Sequence, residues 1–180
     1  MNAISPSGAK GFWQFMTPTA KELGLQITEK IDERYNAEKA TKAACKHINS
    51  LYRTFGNWTL AAAAYNGGSG RILREMKSQR INNFYDMYLN SETSRYVFRI
   101  LAIKEVMRDP GTFGYDIDMA NLYKPVIASK ILNIDSAITD LTRFAIDNGT
   151  TYRMLRYMNP WLIDRDLPAT RGKSYQILIP

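Results

Sequence analysis

The sequence predicts a mainly α-helical domain over residues 1–110, a linker over residues 111–129 and a small α+β module over residues 130–180. Apolar residues recur at helical spacing up to Pro110, and no credible alternating strand interrupts them. From residue 130 onward, the pattern instead indicates the order strand, helix, helix, strand. A chain of 180 residues with 45% hydrophobic content is long enough to bury a core.

Cap and stop signals predict where the first helices lie. Thr17 is predicted to cap a short helix that ends before Gly24, and a longer helix is predicted from about Asn36 to Phe55. The long helix is expected to bury one stripe of side chains: Ala40, Ala43, Ala44, Ile48, Leu51, Tyr52 and Phe55.

Three further helices are predicted before Pro110. Residues 59–65 are apolar all round, so this short helix is expected to be buried, and it breaks at the following Asn-Gly-Gly. Ser69 is predicted to cap the next helix, and Ser91 the long one that ends before Pro110.

The elements of the C-terminal module can be placed in the same way. Residues 130–134 and 174–179 have the composition of strands, and between them Asp140 and Thr151 are predicted to cap two helices. A module of this size is expected to be marginally stable alone.

Charge favours a polyanionic partner but does not indicate nucleic acid. Lys and Arg exceed Asp and Glu by 24 to 17, for a net charge of +7. The basic residues are scattered among acidic ones and form no run typical of a nucleic-acid-binding arm, so we predict no nucleic-acid binding. No stretch is apolar enough for a membrane segment, and the first residues do not have the pattern of a secretory signal peptide.

The single cysteine and the single histidine indicate no chemistry. Cys45 cannot form an internal disulfide and is predicted to be a small buried residue on an apolar helix face. His47 has no partner at metal-ligand spacing.

Three motifs in order carry a family resemblance. They are SPSGAKGFWQFM at residues 5–16 followed by TPTA, AAYNGG at residues 63–68, and ETSRYV at residues 92–97. Together they resemble the lytic transglycosylases with a goose-lysozyme-like fold, the soluble-lytic-transglycosylase (SLT) domain, and most closely the membrane-bound lytic murein transglycosylase D subgroup. The tail is similar to LysM through DLTRFA at residues 140–145 and LRYMNP at residues 155–160, although Asp135-Ser136 replaces the usual opening Gly-Asp.

The resemblance implies a substrate and a reaction. The substrate is the alternating N-acetylglucosamine and N-acetylmuramic acid strand of peptidoglycan in the bacterial periplasm or cell envelope. In the family, one glutamate acts as acid and then as base, so that the β-1,4 bond is cleaved with formation of 1,6-anhydro-N-acetylmuramic acid and without a metal or organic cofactor.

The same resemblance places that glutamate upstream of Met1, so we expect a truncated sequence that is inactive as given. The alternatives are a genuine non-catalytic peptidoglycan-binding protein and a muramidase that hydrolyses the same bond with water.

The resemblance also assigns roles to residues of the first motif. Ser5 would donate a hydrogen bond to the catalytic glutamate, and Gln14 would contact N-acetyl or hydroxyl groups of a sugar. Met16 would line the sugar subsite, or serve as ordinary core. The aromatic neighbours Phe12, Trp13 and Phe15 are predicted to be mainly core that fixes the aim of the glutamine.

The other two motifs supply the remaining candidates. Tyr65 and Asn66 would form the cleft floor, and Tyr96 would lie near the catalytic glutamate. Glu92 would face the peptide-bearing side of the substrate, or simply interact with its helix dipole. In the tail, Tyr157 and Trp161 are expected to be core rather than sugar-stacking residues.

Overall fold

The computed structural model describes residues 3–180, and it confirms a mainly α-helical chain with a small two-stranded sheet. Within those residues the α-helices are α1 Thr17–Glu22, α2 Ala37–Phe55, α3 Trp58–Gly67, α4 Ser69–Gln79, α5 Ser91–Arg108, α6 Leu141–Asp147 and α7 Tyr152–Met158. The strands are β1 Lys130–Ile134 and β2 Tyr175–Ile179. None of the described helices is long and apolar enough to cross a membrane.

Packing divides the chain into two compact units. One unit joins the residues up to Cys45 with Lys124–Pro180, and the other is Lys46–Tyr123. The predicted division into a domain, a linker and a module is based on the sequence pattern and stays a prediction.

The C-terminal module has the predicted order of strand, two helices and strand. Its strands pair antiparallel, with Leu132 opposite Ile177. Asp140 caps α6 by accepting the main-chain N–H groups of Thr142 and Arg143, and Thr151 caps α7. Both predicted caps are confirmed, because each side-chain oxygen accepts a main-chain N–H group of the first helical turn.

The core of this module is completed by residues from near the amino terminus. Ile31 and Tyr35 are buried in the same cluster as Leu141 and Ile177. The main-chain N–H of Asp32 donates to the carbonyl oxygen of Trp161 at 2.9 Å, and that of Ile163 donates to the Lys30 carbonyl at 3.0 Å. The segment at residues 30–35 therefore packs as part of the module, which helps so small a module to bury a core.

The second unit is built around α3. Leu60, Ala61 and Ala64 of α3 are buried together with Ile72 of α4 and Val97 of α5. The small alanine side chains allow the neighbouring helices to approach α3 closely. The carboxyl end of α3 is thereby held beside the amino end of α5.

Three predicted helix caps are wrong by one residue. α1 has Met16 at its N-cap, and Thr17 is the first helical residue, where its hydroxyl accepts a hydrogen bond from Arg34 instead. α4 follows α3 after one residue, so Gly68 rather than Ser69 separates them. α5 is capped by Asn90, whose side chain accepts the Thr93 N–H, rather than by Ser91.

Several residues predicted to be buried are exposed. Cys45 lies one position, or about 100° around the helix, from the buried Ala44, which takes it off the stripe of α2. Tyr52 lies at the edge of that stripe and stacks on Trp58, with ring centroids 4.2 Å apart. In the tail, Trp161 is buried as predicted, whereas Tyr157 is 58% exposed because the carboxyl end of α7 turns it outward.

Candidate functional site

The first motif forms a tight loop in which Ser5 has a defined role. The Ser5 Oγ accepts the main-chain N–H of Ala9 at 2.9 Å, and the main-chain N–H of Ser5 donates to the Ala9 carbonyl at 2.8 Å. Because the hydroxyl acts as an acceptor here, its hydrogen is available to another acceptor. A half-buried hydroxyl of this kind can donate to a carboxylate.

Gln14 is the most constrained residue of the loop. Its backbone has φ 51°, a left-handed conformation that is uncommon for a residue other than glycine. Its Nε2 donates to the carbonyl oxygens of Gly11 at 2.6 Å and Ala3 at 3.3 Å. Since both N–H groups are used, the side chain presents its Oε1 as an acceptor.

The apolar neighbours of Gln14 divide between surface and core. Phe15 is buried and Trp13 is half-buried, with its indole N–H donating to Thr41 at 2.8 Å. Phe12 is 71% exposed, so its predicted core role is wrong: the turn at residues 11–14 directs it outward. Met16 is 43% exposed, which leaves it available to line a ligand site.

The second group of candidates lies where the end of α3 meets the start of α5. The Asn66 Oδ1 accepts the hydroxyl of the buried Thr93 at 3.0 Å, and its Nδ2 reaches the Glu92 carboxylate at 3.5 Å. Gly67 allows this approach, because a Cβ there would lie 2.9 Å from the Thr93 Oγ1. Glu92 is exposed and stands in the first turn of α5.

Tyr65 and Tyr96 are half-buried and lie close enough to influence each other. Burial raises the pKa of the Tyr65 phenol well above its ordinary value, and the neighbouring Tyr96 raises it further. Burial likewise raises the pKa of Tyr96. The Tyr65 ring also contacts His47, with ring centroids 5.7 Å apart. Both phenols therefore stay protonated at neutral pH and can donate hydrogen bonds.

The predicted site residues thus form two groups, one in each compact unit. One group lies in the loop of the first motif and consists of Ser5, Gln14 and Met16. Lys10 forms antiparallel β-bridges with Ile4 and Phe15, near the two ends of this loop. The other group consists of Tyr65, Asn66, Glu92 and Tyr96.

Two residues at these sites were missed by the sequence analysis. Thr93, which fixes the Asn66 amide, belongs to the third motif, so its signal was present. Arg34 is buried and contacts the loop of the first motif. It follows two acidic residues in the sequence, and such a charged segment is usually exposed to solvent, so no signal indicated its burial.

Two family models match the sequence. Residues 1–88 match the transglycosylase SLT domain, and residues 130–180 match the soluble lytic transglycosylase C-terminal LysM-like domain. The second match begins at the first residue of β1.

The chain is also similar to curated proteins. It is 31% identical over 118 residues to membrane-bound lytic murein transglycosylase D of Escherichia coli (strain K12), an overlap of 63% of this chain and 26% of that protein. It is 44% identical over 72 residues to peptidoglycan transglycosylase gp16 of Escherichia phage T7, an overlap of 39% of this chain and 6% of that protein. The chain therefore spans about a quarter or less of the length of these relatives.

Proposed function

We propose that this chain, which carries an SLT transglycosylase domain and a LysM-like C-terminal domain, binds the glycan strands of peptidoglycan in the bacterial cell envelope. The contacts would come from Gln14, Met16, Tyr65, Asn66 and Glu92. The positive net charge of +7 suits a polymer whose peptide stems bear carboxylates.

The observation that carries this proposal is the conformation of Gln14. A left-handed non-glycine backbone costs on the order of 1–3 kcal/mol and persists where the surroundings enforce it, often at a functional site. The side chain of Gln14 is exposed although two hydrogen bonds hold it in place. A fixed, outward-facing acceptor is suited to an acetamido N–H or a hydroxyl of a sugar.

For the reaction we propose cleavage between N-acetylmuramic acid and N-acetylglucosamine with formation of a 1,6-anhydro end. A glutamate would protonate the glycosidic oxygen and then remove the proton of the attacking 6-hydroxyl. Ser5 would orient this carboxylate through its free hydroxyl hydrogen. Tyr96, whose phenol stays protonated, would supply a further hydrogen-bond donor for catalysis.

The 180-residue polypeptide itself is expected to bind peptidoglycan without cleaving it. Sedimentation with insoluble peptidoglycan measures retention, and the turbidity of the same suspension measures cleavage. We expect retention without clearing, since no residue of the sequence occupies the position of the family's glutamate. Clearing would show that another residue acts as the acid.

Variants can assign retention to the proposed site. Loss of one hydrogen bond costs about 1 kcal/mol, so Gln14→Ala and Asn66→Ala should each weaken retention about fivefold. Asn82→Ala, at an exposed amide between α4 and α5, is the matched control and should have no effect. Equal retention of all three variants would exclude this site as the binding surface.

Reaction products distinguish the two enzymatic mechanisms. A lytic transglycosylase of this kind that clears the suspension should release only anhydro ends from peptidoglycan. A muramidase would instead generate new reducing ends, which a reducing-sugar assay detects.

A further inference from the structure

We propose that Arg34 is a positioning residue for the glycan-binding loop, a role that rests on the function proposed above. Its guanidinium would fix the segment that carries Gln14 and Met16, without contacting substrate.

Arg34 is almost completely buried, with 3% of its surface exposed, and every nitrogen of its guanidinium has a partner. Its Nε and Nη2 donate to the two carboxylate oxygens of Asp32 at 2.9 and 2.7 Å. This two-point contact fixes the plane of the guanidinium and therefore the direction of Nη1.

The remaining nitrogen is directed at the loop. Nη1 donates to the carbonyl oxygen of Phe15 at 3.2 Å and to the Thr17 hydroxyl at 3.0 Å, and it lies 3.5 Å from the Gly8 carbonyl. Phe15 and Thr17 are the neighbours of Met16 on either side. Gly8 and Phe15 likewise stand on either side of Gln14 in the sequence. One nitrogen thus holds the chain around both proposed ligand-binding side chains.

The main chain of Arg34 also contacts this loop. A Cβ on Gly11 would lie 2.1 Å from the Arg34 carbonyl oxygen, so Gly11 rests directly against that carbonyl. The Gly11 carbonyl in turn accepts the side-chain amide of Gln14 at 2.6 Å. A continuous series of contacts therefore leads from Arg34 through Gly11 to Gln14.

A purely stabilising role would not explain this arrangement. A buried ion pair contributes little net stability compared with well-packed apolar residues, because both charges lose their hydration. Lysine at this position would keep the charge but not the planar fork that holds Asp32 and the loop together. Arginine is therefore suited to this position because its planar guanidinium fixes the direction of the hydrogen bonds to the loop, as is typical of residues that support a binding site.

The test uses the full chain and removes both charges of the pair. D32N/R34M removes both buried charges, and an oxygen at position 32 can still accept the main-chain N–H at position 34. Lys10, which also lies 3.6 Å from the Asp32 carboxylate, keeps its charge on a partly exposed side chain. The matched control is R143M/D147N, which removes the exposed ion pair of α6. R34K is a second, conservative variant.

Amide hydrogen exchange by NMR provides a local measurement that a general stabilising role would not single out. The loop is monitored at the N–H groups of Ala9, Lys10 and Gly11, and the C-terminal module at those of Ile138 and Leu167. Retention on insoluble peptidoglycan is measured for the same samples.

We expect the loop amides of D32N/R34M to exchange at least about tenfold faster while the module amides stay unchanged. Retention should fall about fivefold, as for Gln14→Ala. R34K should show the same pattern to a smaller extent, and it decides the question if the double variant does not fold. Unchanged loop exchange, or equal acceleration of the loop and the module, would overturn the role of Arg34.

The two proposals fail separately. If wild-type protein and Gln14→Ala are retained equally on peptidoglycan, the proposed function of the loop is wrong. The exchange rates of the loop amides would still decide whether Arg34 fixes the loop.

Discussion

Replacing Gly11 by alanine should destabilise the protein much more than the same change at Gly8. Both glycines have positive φ, 78° and 85°, so an alanine at either position costs about 1–2 kcal/mol in backbone strain. At Gly11 the new methyl group would also lie 2.1 Å from the carbonyl oxygen and 2.8 Å from the carbonyl carbon of Arg34. These atoms belong to the main chain of a residue held by several hydrogen bonds, so they cannot move aside as a side-chain end would. Overpacking of this kind adds about 1–3 kcal/mol.

The Gly11→Ala variant is therefore expected to lose about 2–5 kcal/mol in free energy of unfolding. Gly8→Ala is the matched control, because nothing lies within 4 Å of a Cβ at that position. Urea unfolding of the two variants and the wild type, followed by far-UV circular dichroism, measures the difference. A difference between the variants of less than about 0.5 kcal/mol, within the range of ordinary surface substitutions, would refute the close contact of the loop with Arg34.

Three further predictions concern other parts of the chain. Asp140→Ala removes the cap of α6 and should lower the free energy of unfolding by about 1 kcal/mol in urea denaturation. Asp147→Ala is the control: it removes an exposed ion pair and should change the free energy of unfolding by less than about 0.5 kcal/mol. Asn159→Ala should lower the free energy of unfolding by about 2–4 kcal/mol in the same assay. The fully buried Asn159 amide accepts the main-chain N–H of Leu178 and donates to its carbonyl, and both groups would lose their partner. A decrease of less than about 1 kcal/mol would contradict this. Folding raises the pKa of Tyr65, so above about pH 10 the folded state binds more protons than the unfolded state and stability falls as the pH rises. Tyr65→Phe should reduce this alkaline loss in pH-dependent thermal melts, and an unchanged pH dependence would argue against a buried phenol.

The sequence predicts a helix start best where the capping residue directly precedes the first apolar residue of the helix. Asp140 and Thr151 were placed as caps for this reason, since Leu141 and Tyr152 follow them. Ser91 follows Asn90, which caps at least as well, so the predicted start of α5 was one residue late. At α4 the one-residue gap after α3 left Gly68 as the only possible boundary, a constraint that the cap preference of Ser69 does not reveal.

Burial is harder to predict, because it depends on which elements become neighbours. Tyr157 and Trp161 have the same aromatic character in the sequence, yet only Trp161 is covered, on a module core that includes Ile31 and Tyr35. Such long-range contacts have no signal in local periodicity.

In the candidate site, too, residues within local sequence patterns could be predicted, whereas a residue buried by long-range contacts could not. The motifs supplied Ser5, Gln14, Asn66 and Tyr96, since these residues lie in recognisable local patterns. Arg34 was not found, because a charged residue beside two acids is usually solvated and its burial depends on acceptors far along the chain.

The central claim is that the candidate residues of each group bind peptidoglycan glycan. The most direct measurement is an NMR titration of the 180-residue protein with soluble peptidoglycan glycan fragments, following the side-chain amides of Gln14 and Asn66 and the ring of Tyr96. We predict that the signals of all three residues shift and reach saturation as the fragments are added. A group whose signals do not shift at saturating fragment would contradict glycan binding by that group.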